Sequence, residues 1–143
     1  MKRLFIVAGA LVLGINTVAA QDPIAARKAL MKATGKQAGA GGAMIRGEAP
    51  FDLAQAKAIF AVFEETSAKA PTLFPDNSKD GGETAALPAI WTNKADFDAR
   101  LAKLGTDAKA AGASVTDLAS FKTAFGGIGK DCGGCHELYR VKK

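Results

Sequence analysis

The chain has 143 residues and a formal net charge of +5 at pH 7, with two cysteines and one histidine. This length fits a single domain. The charge excess is small and nothing resembles a basic nucleic-acid-binding patch, so we expect no nucleic-acid partner. Two cysteines and one histidine are also too few for a closed tetrahedral zinc site, which takes four nitrogen or sulfur ligands.

The N-terminus has the pattern of an export signal. Two basic residues follow Met1, an apolar run covers residues 4–15, and small residues end at Ala20. These features predict a signal peptide over residues 1–20 that is cleaved after Ala20. The apolar run is too short to span a bilayer comfortably, and no later segment is long and apolar enough to do so. We therefore expect a periplasmic protein with no membrane span, whose mature domain is residues 21–143.

A first helix is predicted from Asp22, a suitable N-cap before Pro23, towards Ile45. Its four glycines cost about 1 kcal/mol each relative to alanine in a helix interior. So many small residues in one helical register suggest close approach to a flat group or to another helix. A helix broken near Gly39 is the alternative.

A second helix is predicted from Asp52, its expected cap, to Pro71. Its apolar stripe is Ala56, Ile59, Phe60 and Phe63. The long connection over residues 71–88 is predicted to cross one end of the bundle with Leu73 and Phe74 tucked in. A third helix is expected to start around Ile90 and to end near Gly112.

The fourth helix is predicted to begin at a cap formed by Ser114 or Thr116. Apolar residues and both cysteines then recur at alternating steps of three and four, which is typical of a helix that faces a core. This row is Leu118, Phe121, Phe125, Ile128, Cys132, Cys135 and Tyr139. Four helices with apolar faces and no strand pattern predict an all-α, antiparallel four-helix bundle.

The fourth helix contains the pattern C-x-x-C-H, formed by Cys132, Cys135 and His136. This pattern is the attachment signature of haem c, in which two thiols bond covalently to the porphyrin and the imidazole binds the iron. On a helix the three side chains leave the same side. We therefore predict one covalently attached haem, with His136 as the proximal iron ligand, that becomes part of the core.

A thiol redox pair and a disulfide are the alternative interpretations of the two cysteines. A thioredoxin-like pair usually follows a strand, and no strand pattern precedes Cys132. A disulfide across two intervening residues would constrain little of the unfolded chain. The only histidine directly follows the cysteine pair, as haem attachment requires. An export signal also supports attachment, because bacteria attach haem c outside the plasma membrane.

Five segments carry a resemblance to a known family that covers essentially the whole mature chain. They are Arg27-Lys28-Ala29-Leu30-Met31, Leu73-Phe74-Pro75, Gly82-Glu83-Thr84, Pro88-Ala89-Ile90-Trp91 and Cys132-Gly133-Gly134-Cys135-His136-Glu137-Leu138-Tyr139-Arg140. On these segments the chain resembles the class II c-type cytochromes, the family of cytochrome c′ and cytochrome c-556. The resemblance implies a four-helix bundle with haem among the helices. Members of the family often form homodimers, and such pairing is also expected here.

The resemblance implies a choice at the sixth coordination position of the iron. In cytochrome c-556 a methionine four residues after the first-helix arginine fills this position, and here that methionine is Met31. We therefore expect a low-spin electron carrier with His136 and Met31 as ligands. The alternative is a high-spin cytochrome c′ whose open position binds NO or CO, in which Met31 only fills core space. Met44 lies too far along the helix to reach the same position.

Two arginines are candidate partners of the haem propionates. Arg27 lies one helical turn before Met31, and Arg140 lies one turn after His136. Guanidinium groups suit carboxylates through paired hydrogen bonds, although both could instead be solvated surface arginines.

We find no catalytic set of residues and expect no enzyme activity. The partners of such a carrier would be other redox proteins.

Overall fold

The computed structural model describes residues 22–142, and within them it contains five α-helices and no strand. The helices are α1 (Pro23–Arg46), α2 (Leu53–Lys69), α3 (Ala89–Thr92), α4 (Lys94–Ser114) and α5 (Leu118–Tyr139). Two short 3-10 helices, Ala70–Leu73 and Asp76–Ser78, lie in the connection between α2 and α3. The four long helices form the expected bundle. The predicted signal peptide lies outside the described residues.

The first helix begins and ends where its local sequence specifies. The Asp22 carboxylate accepts a hydrogen bond from the Ile24 amide at 2.9 Å, and Pro23 occupies the first helical position. The helix ends at Gly47, whose φ of 75° is left-handed. No break occurs near Gly39, so that alternative is wrong. Gly41 allows α1 to approach α5, because a Cβ there would overlap the ring of Phe125.

Two expectations for the later helices need correction. The predicted third helix is divided at Asn93, where φ is −121° and ψ is 43°, into the short α3 and the long α4. The cap of the fourth helix is Asp117, not Ser114 or Thr116. Asp117 accepts from the Ser120 amide at 2.8 Å, while the Ser120 hydroxyl accepts from the Asp117 amide at 3.0 Å. This reciprocal pair forms a capping box that satisfies two otherwise unpaired amides.

The buried side chains form two separate clusters along the bundle. The closed cluster is Met44, Ala56, Ile59, Phe60, Phe63, Leu104, Ala108, Ala111, Val115, Phe121 and Ile128. The cleft cluster is Ala70, Phe74, Ile90, Phe97, Leu101 and Tyr139. The predicted stripe of α2 belongs wholly to the closed cluster, with each residue at most 1% exposed. The cleft cluster lies at the end of the bundle where α1 begins and α5 ends.

None of the helices within residues 22–142 combines the length and the apolar character needed to cross a membrane.

Candidate haem site

A cleft opens between the start of α1 and the end of α5. The two helices approach closely at Gly41 and Phe125, and the side chains that line the cleft lie ten or more residues away along each helix. The cleft encloses about 660 Å³ of space, counted with its open mouth. It is lined by Arg27, Lys28, Met31, Phe74, Thr84, Ala85, Ala86, Ile90, Phe97, Leu101, Cys135, His136, Tyr139 and Arg140.

The last three turns of α5 bring the C-x-x-C-H motif to this cleft. Cys135 and His136 line it directly. Cys132, one turn earlier, packs against the closed cluster, whereas Cys135 packs against the cleft cluster. The cysteine pair therefore spans the boundary between the two clusters, so a group bonded to both sulfurs would join them.

Burial shifts the pKa values of the two cysteines and of His136. It raises the pKa of both thiols, with a further contribution from Asp131 at Cys132 and an opposing one from Arg100 at Cys135. Protonated, half-buried thiols are poor nucleophiles, which disfavours the thiol redox interpretation. Burial also lowers the pKa of His136, and the nearby charge of Arg140 lowers it further. The imidazole is thereby kept in the neutral form that binds metals.

Met31 lies on α1 and lines the same cleft as His136. It is half-buried and packs against the cleft cluster. A thioether on one helix and an imidazole on another thus enter one cavity from different elements. Met44, which was expected to be a packing residue, is 1% exposed and belongs to the closed cluster. That expectation is confirmed.

Arg27 is almost completely buried, with 4% of its surface exposed. One terminal nitrogen donates to the Leu73 carbonyl at 3.3 Å and to the Ser78 hydroxyl at 2.9 Å. The other donates to the Ser78 carbonyl at 2.9 Å and to the Thr84 hydroxyl at 2.5 Å. Burial lowers the pKa of Arg27, and Asp22 partly opposes this effect. The view of Arg27 as a solvated surface arginine is therefore wrong.

Arg140 also lines the cleft, but its side chain is exposed. It directly follows the last residue of α5, and its amide donates to the His136 carbonyl at 3.2 Å. Within residues 22–142 no carboxylate pairs with its guanidinium. The structure therefore brings all but Cys132 of the predicted site residues to the wall of one cleft.

Sequence reasoning missed part of the wall. Phe97 stacks edge-to-face on Phe74 at a centroid distance of 4.8 Å and on Tyr139 at 5.3 Å. The Tyr139 hydroxyl donates to Asp96 on α4 at 2.5 Å. Lys28 at the mouth was missed as well. Phe97 and Tyr139 have no sequence signal that marks them as cleft residues. A buried aromatic residue that lines a cleft has the same helical spacing as one that fills a core.

The residues present fit a haem. Aromatic and aliphatic side chains provide apolar walls, as is usual for a cofactor site. Imidazole, thioether and thiol donors are available inside. Three cationic side chains and no carboxylate line the cleft, which suits a flat apolar ring that carries two carboxylates.

Comparison with known proteins also indicates a haem protein. A family model described as cytochrome C′ matches residues 22–140. The chain is 45% identical to cytochrome c′ of Rhodopseudomonas palustris over 142 residues, which cover 99% of this chain and 97% of the relative. It is 47% identical to cytochrome c-556 of Agrobacterium fabrum over 131 residues, covering 90% of this chain and 87% of the relative.

Solved structures share the fold. Cytochrome c′ from Rhodopseudomonas palustris superposes with a TM-score of 0.84 at 45% identity, covering 87% of this chain and 99% of the other. A structure of oxidised cytochrome c556 from R. palustris superposes with a TM-score of 0.80 at 34% identity, covering 87% of this chain and 99% of the other. Relatives of both names are thus similar to this chain over nearly its whole described length.

Proposed function

We propose that this chain, which belongs to the cytochrome c′ family of electron-carrying haem proteins, is a periplasmic electron-transfer cytochrome with one haem c ligated by His136 and Met31. The observation that carries the proposal is that Met31 of α1 and His136 of α5 line the same cleft. When bound, the haem supplies an iron that gains and loses one electron. The protein supplies its ligands, its apolar surroundings and its covalent attachment.

Each site residue has a distinct task in this proposal. Cys132 and Cys135 hold the ring through thioether bonds on one side of α5. His136 offers a neutral nitrogen, which burial favours. Met31 offers a soft sulfur ligand, and Met/His ligation raises the reduction potential and suits electron transfer. The aromatic wall keeps water away from the ring, so the surroundings reorganise little when charge moves.

The two arginines differ in their capacity to bind a propionate. Arg140 is exposed at the mouth, and no described carboxylate occupies its guanidinium. Arg27 has five N–H donors, and its two terminal nitrogens already serve four acceptors. We therefore assign the stronger propionate contact to Arg140, and to Arg27 at most a contact through its Nε.

A high-spin cytochrome c′ with an open sixth position that binds NO or CO is the second candidate. It is favoured by the relative from Rhodopseudomonas palustris, which covers nearly the whole chain and is named cytochrome c′. In that case Met31 packs against the cleft cluster without binding iron. Neither function requires a catalytic residue. Redox proteins are the expected partners of the first, and pairing of two copies stays a prediction for both.

Replacement of Met31 tests the proposal. Met31→Ala should shift the ferric iron from low to high spin, open the sixth position to CO and lower the reduction potential. Met44→Ala is the matched control, since Met44 lies on the same helix but in the closed cluster. It should cost about 2–5 kcal/mol of stability and leave the spin state unchanged. If Met31→Ala has the same absorption spectrum and potential as the parent protein, Met31 is not a ligand.

A further inference from the structure

Residues 82–87 run along the wall of the cleft from α1 to α5, and we name this segment the strap. Its middle residues, Thr84 to Ala86, line the cleft. The strap begins within a turn in which three consecutive residues have positive φ: Gly81 at 92°, Gly82 at 55° and Glu83 at 52°. A residue with a Cβ adopts this conformation only at some cost, so surrounding contacts must hold Glu83 there.

Backbone hydrogen bonds attach the strap to the end of α5. The Leu87 amide donates to the Tyr139 carbonyl at 3.0 Å, and the Val141 amide donates to the Ala85 carbonyl at 2.9 Å. Ala86 and Arg140 form an antiparallel bridge between these two bonds. The strap is therefore paired with the residues that follow His136 by three to five positions.

Side chains of α1 attach the other end. The Lys28 amine donates to the Gly82 carbonyl at 3.2 Å, and a Cβ on Gly82 would touch Ile24 at 3.0 Å. Lys28 is half-exposed, so its contact is weak in water. The buried attachment is Arg27, which binds the Thr84 hydroxyl.

Arg27 joins the strap to the chain before it. Its guanidinium binds Thr84 within the strap and both the hydroxyl and the carbonyl of Ser78. The same group lies over the ring of Phe74 at 5.0 Å and over Trp91 at 5.8 Å. Only a planar fork of donors can serve these acceptors together, and a lysine ammonium cannot.

We propose that the strap narrows the mouth of the haem cleft and that Arg27 is the positioning residue that holds it in place. Arg27 thereby limits the access of small external ligands to the iron, whether or not Met31 occupies the sixth position. The consequence at the iron rests on the proposed function, namely that haem lies in this cleft. The position of the strap itself does not depend on the identity of the sixth ligand.

Amide hydrogen exchange of the haem-loaded protein tests the attachment. In Arg27→Gln, exchange at the Leu87 and Val141 amides should accelerate at least about tenfold, since charged buried hydrogen bonds are lost. Arg46→Gln is the control, because Arg46 on the same helix binds only the exposed Glu48, and it should leave both amides unchanged. Unaltered exchange at these amides in Arg27→Gln would overturn the proposal.

Two further variants test the same attachment if Arg27→Gln does not fold. Thr84→Val keeps the shape of the side chain but removes the hydroxyl that accepts from Arg27 and from the Ala86 amide, and it should give a smaller acceleration at the same two amides. Arg27→Lys keeps the charge but should not restore slow exchange, because one ammonium cannot reach both Ser78 and Thr84. Full restoration by lysine would show that charge, rather than the guanidinium fork, holds the strap.

The rate of CO binding tests the consequence at the iron. It is measured in ferrous protein carrying Met31→Ala, so that no thioether competes and the rate reports access alone. Addition of Thr84→Val should raise the association rate several-fold, whereas addition of Arg46→Gln should not change it. Accelerated exchange with an unchanged CO rate would overturn the role of the strap as a barrier. A high-spin iron in the parent protein would instead show that Met31 does not ligate the iron. The exchange rates and CO rates of these variants would still report on the strap.

Discussion

The closed cluster and the cleft cluster are built from similar side chains but are completed differently. In the closed cluster Phe60 packs edge-to-face on Phe63 at 6.4 Å and on Phe121 at 5.5 Å, and all three are at most 1% exposed. In the cleft cluster Phe74, Phe97 and Tyr139 also stack, but they border an open cavity. One half of the bundle is a core closed by protein side chains, whereas the other half borders the cleft proposed to hold the haem.

The largest effect should come from preventing haem attachment. Replacement of both Cys132 and Cys135 by alanine should give a colourless or weakly haem-binding chain that unfolds far more easily than the parent protein. The loss should exceed the ~3–5 kcal/mol typical of one buried aromatic, because the whole cleft would be left unfilled. Absorption spectra and urea unfolding measure the two effects. A double variant that retained haem tightly and unfolded like the parent protein would show that the haem is peripheral.

A pair of phenylalanine variants separates the two clusters. Phe60→Ala in the closed cluster should cost about 3–5 kcal/mol but leave the absorption spectrum and reduction potential of the haem unchanged. Phe97→Ala in the cleft cluster should also destabilise the protein, and in addition should change the potential, since water gains access to the ring. Equal spectral changes in both variants would contradict the division into two clusters.

The smallest effect is expected at the capping box that starts α5. Hydrogen bonds from the Ser120 amide and hydroxyl lower the pKa of Asp117. The stability that its charge provides is therefore complete above the unfolded-state pKa of about 4 and is lost as the pH falls through the lower folded-state pKa. Asp117→Ala should consequently be less stable than the parent protein at pH 7, with the difference shrinking towards pH 3 in urea unfolding curves.

Asp117→Asn separates the cap from its charge. Asparagine keeps an acceptor for the Ser120 amide and is itself a good N-cap. It should retain most of the stability at pH 7 and show no change attributable to titration at this position. A stability difference between Asp117→Ala and the parent protein that is the same at pH 3 and pH 7 would contradict the predicted role of the charge.

Features that depend on residues close together in the sequence could be predicted. Local spacing is enough to identify the cap at Asp22, the apolar stripe of α2 and the apolar row of α5 that contains both cysteines. The break at Asn93 could not be predicted, because the apolar spacing continues across it into α4. Asp117 was missed because Ser114, Thr116 and Asp117 are all good caps, and only the reciprocal bond with Ser120 distinguishes them.

The partners of Arg27 lay beyond sequence reasoning. They are 46 to 57 residues away along the chain, in a connection whose path depends on turns and short 3-10 helices instead of a repeating pattern. Ligation of the iron by Met31 is expected only through the family resemblance, since helical spacing alone is equally compatible with packing. The strap was missed for the same reason as the network around Arg27.

The spin state of the ferric parent protein, measured by electron paramagnetic resonance at neutral pH, tests the central claim most directly. Ligation by His136 and Met31 predicts a low-spin ferric haem, because the protein would then supply both ligands to the iron. A high-spin signal in the protein without any substitution would contradict ligation by Met31. The chain would then be an open-site cytochrome c′, and the half of the bundle beside the cleft would bind small gases.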